Sequence, residues 1–241
     1  MKKILPYILS VSLFVYLIIV LTFVSANFKK INCKGVEVNI YDAEEYVFVD
    51  EDEVLRLLKR HYGELHTVTI AQVDQDSVER ALKKNAFIKS AQFFYDLDGN
   101  FHVGITQRKP VMRVISNRSF YIDEEGKTMP LSKKYTPRVV VATGNISESF
   151  ACERLYPFVM NLREDSFWEA LVEQIVVTND EEVILIPKVG NFRIRLGELE
   201  QVERKLENLY LFLQEGIALK GWNNYREINL KYENQIVCVK K

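Results

Sequence analysis

Ala91-Gln92-Phe93-Phe94-Tyr95-Asp96-Leu97-Asp98-Gly99-Asn100-Phe101-His102-Val103-Gly104-Ile105 decides how the first half of the chain folds. Ala91, Phe93 and Tyr95 occupy alternate positions, as do Phe101, Val103 and Ile105, which is the period-two pattern of half-buried strands. Between the two runs Asp96-Leu97-Asp98-Gly99-Asn100 supplies turn residues, so the stretch reads as a hairpin. A calcium loop is the rival reading, because Asp96, Asp98 and Asn100 are two residues apart. An EF-hand loop needs a third ligand before its glycine and a closing glutamate. Neither is in place, and the hairpin is the expectation.

Upstream, Val36, Val38 and Ile40 alternate with polar residues and predict another strand. Asp50 and Glu53 have N-cap and N3 spacing at the head of a helix. Val54, Leu57, Leu58 and His61 share one face of it, and Gly63 is placed to end it. A second short helix begins at Asp74 or Asp76, with Val78, Ala81, Leu82 and Asn85 inward and Glu79, Arg80, Lys83 and Lys84 mostly outward. The unit runs strand, helix, helix, strand, strand.

Downstream, Pro110 cannot donate to a sheet ladder, which puts a domain junction near Arg108–Pro110. Met112 and Val114 then share a strand face with Arg113 pointing away, and Asp123-Glu124-Glu125-Gly126 reads as a solvated turn rather than an acid/base pair. Val139–Ala142 is a short strand, ended by Thr143-Gly144. A helix is expected over 149–162, limited or kinked by Pro157, and a further helical turn around Phe167–Leu171. Strands follow at Ile175–Val177, Val183–Ile186 and Phe192–Leu196, the last with Arg193 and Arg195 facing solvent or a partner. From Glu198 to Gln214, Val202, Leu206, Leu209, Tyr210 and Leu213 form a helical stripe suited to packing on the domain's own sheet. A terminal hairpin closes the chain: Ile228 and Leu230 share a face that Tyr232 continues, Glu233-Asn234 turns, and Gln235–Lys240 returns.

At the other end, Met1-Lys2-Lys3 precedes an uncharged apolar run from Ile4 to Ala26. At about 1.5 Å per helical residue the run covers roughly 35 Å, enough for a hydrocarbon core about 30 Å thick. Small residues at Val24-Ser25-Ala26 suit a signal peptidase, but the run exceeds the roughly 7–15 residues of a signal h-region. An uncleaved anchor is expected, with residues 1–3 a cytoplasmic tip, 4–26 a transmembrane helix and the bulk of the chain extracytoplasmic. Lys29 and Lys30 nearly balance Lys2 and Lys3, so orientation rests on the free amino terminus and the size of the exported part.

Lys and Arg number 32 against 33 Asp and Glu, a net charge of −1, so no basic field draws nucleic acid. Cys33, Cys152 and Cys238 are too few and too scattered for a disulfide framework and read as buried or inert thiols, although an exported domain could oxidise one pair. No metal-site spacing links them to His61, His66 and His102. A nucleophile elbow, phosphate loop, zincin helix and dinucleotide fingerprint are all missing from the sequence. The expectation is a protein that is not an enzyme and has no cofactor, no metal and no catalytic residues. Asn117-Arg118-Ser119 and Asn145-Ile146-Ser147 fit the N-glycosylation pattern and are read as coincidence.

The β-α-α-β-β order resembles a POTRA domain, and the wording resembles the FtsQ/DivIB family of bacterial cell-division proteins. Asp50–Leu58, Asn85–Ala91 and above all Gln107-Arg108-Lys109-Pro110-Val111-Met112-Arg113-Val114 carry the likeness. Tyr121-Ile122-Asp123 with Gly126 and Met129-Pro130-Leu131, Leu196-Gly197, the Lys205–Leu209 helix and Leu230-Lys231-Tyr232 extend it along the chain. The resemblance implies an α+β protein: one transmembrane helix, a POTRA domain over 31–108, and a β-rich domain with packed helices over 109–241.

It further implies a membrane-anchored scaffold of the divisome, single-pass type II in the cell inner membrane and concentrated at the septum. Its β domain would capture an FtsB/DivIC-like protein paired with an FtsL-like one, by strand-edge pairing. The family's partner surface maps onto Lys231 and Tyr232, and Gln235, Val237 and Val239 join them if the returning strand is the exposed edge. The chain departs from members with a tryptophan near this end, finishing in Val239-Lys240-Lys241. Two alternatives stand beside this: a POTRA-type protein assisting membrane-protein assembly or secretion, which would normally carry repeated POTRA units or a barrel, and a signal-anchored envelope enzyme.

Overall fold

The computed structural model describes residues 5–28, 30–217, 221–233 and 235–241. The expected cytoplasmic tip, Ile4, Lys29 and Asn234 of the terminal turn lie outside the described residues. The chain divides into two compact units, Met1–Gln107 and Arg108–Lys241.

In the first unit the apolar run forms one helix, α1 (Leu5–Phe28), with no charged residue in its first or last turn. Its side chains are described without a break only from Ser10 to Ser25. Among the described residues no helix is long and apolar enough to cross a membrane.

Beyond it come β1 (Gly35–Ile40), α2 (Glu51–Tyr62), two short 3₁₀ turns, α3 (Gln75–Lys83), β2 (Ile88–Tyr95) and β3 (Asn100–Gln107). Asp50 caps α2 by accepting from the Glu53 N–H at 2.8 Å, and Gly63 ends it. β3 lies in the middle of the three-stranded sheet, parallel to β1 and antiparallel to β2. The helices bury Val54, Leu58, Val78 and Leu82, and the sheet buries Phe93, Phe101, Val103 and Ile105. His61, expected on the buried face of α2, is exposed. The buried seam ends one turn earlier, at Leu58, and the His61 ring lies edge-on to Tyr62.

The hairpin turn is organised by one carboxylate. Asp96 accepts from the backbone N–H groups of Asp98 and Asn100 and from the Asn100 side chain at 2.8–2.9 Å, with His102 Nε2 at 3.1 Å. The Asn100 contacts foremost hold its carboxyl well below the usual carboxylate range.

The second unit is one nine-stranded sheet in the order β12-β11-β10-β9-β8-β7-β4-β5-β6. Its strands are β4 (Pro110–Ile115), β5 (Phe120–Asp123), β6 (Thr128–Met129), β7 (Val140–Gly144), β8 (Val172–Val177), β9 (Val183–Pro187), β10 (Arg193–Gly197), β11 (Tyr225–Asn229) and β12 (Val237–Lys240). Pairing is parallel at β4/β7, β7/β8 and β10/β11 and antiparallel elsewhere. Pro110 opens β4, where its missing N–H matters least. Helices α4 (Glu148–Phe150), α5 (Tyr156–Glu164), α6 (Ser166–Leu171) and α7 (Val202–Leu211) contribute to one core with Met112, Val114, Ile175, Leu185, Ile194 and Ile228.

The helix expected over 149–162 is divided. A π-helical turn over Ala151–Leu155 separates α4 from α5, immediately before Pro157, whose missing N–H already breaks the regular ladder. The stripe expected from Glu198 becomes helical only at Val202, because Gln201 takes a left-handed conformation (φ 50°). Leu206, Leu209 and Leu213 are buried in this unit's own core.

Asp123 corrects the expectation of a solvated turn, for it is buried. Its carboxylate accepts from Arg108 Nε at 2.7 Å and from the N–H groups of Glu125 and Lys127 at 3.0 and 2.8 Å. Gln107, which precedes Arg108 in the Gln107–Val114 motif, does comparable work in the first unit. Fully buried, it accepts from the Phe48 and Val49 N–H groups at 2.9 Å each and donates to the Tyr46 carbonyl at 2.7 Å. Replacing Gln107 by Leu keeps the volume but leaves two buried N–H groups without an acceptor, at about 1–3 kcal/mol each. The first unit is expected to lose about 2–6 kcal/mol, read as faster hydrogen exchange at Phe48 and Val49 and a lower denaturant midpoint for the unit. Unchanged exchange would refute this role.

Candidate functional site at the C-terminal sheet edge

A sheet of nine strands in this order has two edges, and the sequence treats them differently. β6 is two residues long, and Arg108 Nη2 donates to the carbonyls of Lys127 and Thr128 at 3.3 and 3.0 Å. Short length and an occupied carbonyl blunt this edge. Among the described residues β12, four residues at the other end, pairs with β11 alone. The register sets Val239 opposite Glu227, Cys238 opposite Ile228 and Val237 opposite Asn229. Cys238 and Ile236 therefore pack toward the core, whereas Val237 and Val239 are 38% and 36% exposed on the other face.

That other face carries a charged ladder. Glu227 of β11 takes Arg193 Nε at 2.6 Å and Arg195 Nε at 3.1 Å from the parallel neighbour β10. Arg195 also reaches Glu182 at 3.4 Å, and Glu182 accepts a hydrogen bond from Lys231 Nζ. The stem of Lys231 lies over Gly197, where a Cβ would meet Lys231 Cγ at 2.8 Å, so only glycine fits this left-handed position (φ 77°). Arg193 and Arg195 do alternate outward, as their spacing predicts, but their guanidinium groups are engaged within the domain.

Of the five residues singled out in the sequence, Lys231 is thus tied to Glu182, and Tyr232 stands 54% exposed. Tyr232 does not continue the Ile228/Leu230 face: β11 ends at Asn229, and the chain turns away from the strand direction beyond Leu230. Lys231, Tyr232 and Gln235 line a shallow cleft with Arg204 and Asn208 of α7. Val237 and Val239 lie on the edge strand itself, so three of the five gather in the cleft and two on the adjoining edge. Glu182 and Glu227 were not singled out in the sequence. Glu227 reads there as an ordinary outward strand position, and only the parallel β10/β11 register brings it between two arginines. Among the described residues no group of His, Cys, Asp and Glu could hold a metal ion.

The fold defines a protein in which a POTRA-like α+β unit is followed by a β-rich domain whose sheet runs from the short β6, held by Arg108, to β12, the terminal strand at the other end among the described residues. Comparison with known families agrees in both halves. Residues 31–106 match a POTRA-like domain. Residues 109–239, more than half of the chain, match the family described as FtsQ/DivIB, C-terminal related. The chain belongs to the FtsQ/DivIB family, whose members are membrane-anchored, scaffold-type components of the divisome. No curated protein matches the chain.

The ladder sets a pH dependence. The Lys231 hydrogen bond foremost holds the Glu182 carboxyl below its ordinary range. At Glu227 burial pushes upward, but the hydrogen bonds and charges of Arg195 and Arg193 outweigh it and leave the carboxyl lowered. A carboxyl lowered in the folded state adds stability that is complete above its unfolded value, about 4.3, and is lost as pH falls through the folded value. Both tryptophans, Trp168 and Trp222, lie in this unit. Urea melts followed by their fluorescence are expected to hold a constant midpoint from about pH 7 to about pH 5 and to fall below it. Glu227→Gln is expected to lower the midpoint at neutral pH and flatten the acid decline. An equally steep decline in that variant would count against the ladder.

Proposed function

We propose that this protein is a non-enzymatic, membrane-anchored scaffold of the bacterial divisome. It links early and late septal proteins through its extracytoplasmic domains, a POTRA domain over 31–108 and a β domain over 109–241. The reading of residues 4–26 as a single-pass type II signal anchor in the cell inner membrane is supported by the uncharged helix α1 and by membership of the family. The partner is an FtsB/DivIC-like protein associated with an FtsL-like one, and capture occurs by addition of a strand along β12. The observation that carries this is the asymmetry of the sheet: β6 is short and held by Arg108, while β12 lies at the other edge with two exposed valines.

In this role Tyr232, Val237 and Val239 supply apolar contact, and Gln235 supplies polar contact beside the cleft. Lys231 acts chiefly by holding the connection between β11 and β12 in place through Glu182. A general envelope-assembly role has no comparable observation in its favour.

An N-terminal fluorescent fusion is expected to form a midcell band shortly before constriction, and uniform peripheral fluorescence would sink the divisome reading. Val237→Asp with Val239→Asp places charge on the edge without touching the core. The pair is expected to reduce capture of the FtsB/DivIC-like partner at least tenfold in pull-downs with the full chain, while the Trp168 signal of a folded domain is retained. Tyr232→Glu is expected to act in the same direction. Undiminished capture in both variants would refute the β12 edge as the site.

A further inference from the structure

The most exposed large apolar side chain in the described structure is Leu97, 82% accessible at the tip of the β2–β3 hairpin. A single exposed leucine is ordinary. Its position along the chain is not. Phe28 ends α1, and Ile31 is three residues on, at most about 11 Å of extended chain. There Ile31 packs on the hairpin: a Cβ at Gly99 would meet Ile31 Cγ2 at 2.7 Å and the Asn32 carbonyl oxygen at 3.0 Å. Lys34 N–H donates to the Gly99 carbonyl at 3.0 Å, and Gly35 registers with Asn100. The turn is thereby clamped to the segment leaving α1, and Leu97 is only two residues from Gly99.

We infer that the Leu97 tip is a membrane-contact site, inserted into the interface of the same bilayer that holds α1 and fixing the POTRA-like unit against its surface. The inference rests on the reading of α1 as a membrane span. The local chemistry suits such an interface. Of the two carboxylates that flank Leu97, Asp96 is turned inward onto Asn100 and His102 and Asp98 is exposed, with the aliphatic side chain between them at the apex. Lys34 is exposed beside the turn and Lys30 is exposed on the segment leaving α1, both with stems long enough to lie along lipid while their ammonium groups reach the headgroups. The opposite end of the unit, beyond Ile40, carries Val47, half exposed and on the far side of the sheet's length from the hairpin turn.

The test uses the full chain in lipid nanodiscs made with and without brominated acyl chains, which quench tryptophan on contact. Three variants are compared after subtraction of the wild-type signal: Ile18→Trp in α1, Leu97→Trp at the tip and Val47→Trp at the far end. Tryptophan is at home in the interfacial layer, and position 97 is exposed enough to accept it without disturbing the fold. At least twofold quenching at 18 and 97, with none at 47, is the expected result. Quenching at 18 with none at 97 overturns the contact site and leaves the anchor standing. No quenching at 18 overturns the anchor, and the contact site with it.

Discussion

The parallel pairing of β10 with β11 is the constraint on which the C-terminal half depends. Adjacent parallel strands cannot be joined by a tight turn and require a crossover, and here α7 lies in the connection, burying Leu206 and Leu209 on the core side. On the other side the same register places Glu227 between Arg193 and Arg195. A one-residue slip would turn Glu227 into the core and Ile228 out of it. The apolar and ionic faces therefore specify one register together, and that register leaves β12 at the end of the sheet.

Two other sheet edges, β2 and β6, each have a main-chain group taken by a side chain from a neighbouring element. In the first unit β2 is terminal, and the Phe93 N–H is taken by Glu79 of α3 at 3.1 Å. In the second unit Arg108 takes the Thr128 carbonyl of β6. Glu79 reads in sequence as an outward charge on its helix, and Arg108 as part of the domain junction. Each removes a hydrogen-bonding group that an unrelated strand would otherwise use, which narrows unintended association for a protein built largely of sheet. β12 differs from these two edges in carrying two exposed valines.

Much of this was legible because local pattern and tertiary role coincide. Alternation located β1, β2, β3, β10 and β11, and the Asp50/Glu53 spacing located the head of α2. Two of the misses share a cause: a residue's partner lay far away in sequence. Asp123 looked like a solvated turn residue because Arg108, fifteen positions earlier, is what buries it. Glu182 sits beside a turn and is recruited by Arg195 and Lys231, the latter forty-nine positions later. Tyr232 was assigned to a strand face by extrapolating an alternation past the point where β11 stops. The helix starting at Glu148 was legible in extent but not in form, since Pro157 can be absorbed as a kink, a break or, as here, a preceding π turn.

The magnitudes decide which residues must matter in the proposed strand addition. A four-residue edge presents about two outward-facing residues, hence about four main-chain hydrogen bonds, each worth roughly 0.5–1.5 kcal/mol net. Their sum, about 2–6 kcal/mol, falls short of the roughly 8 kcal/mol of a micromolar complex before any ordering cost is subtracted. The remainder must come from side chains, and Lys231 is poorly placed to supply it because its charge is already matched by Glu182. Burying an exposed valine or an aromatic ring contributes on the order of 1.5–3 kcal/mol, and Tyr232, Val237 and Val239 are the exposed apolar groups at this edge. In the proposed strand addition, recognition along β12 would be mainly apolar in energy and main-chain in geometry, with the charged ladder holding the edge in position rather than meeting the partner.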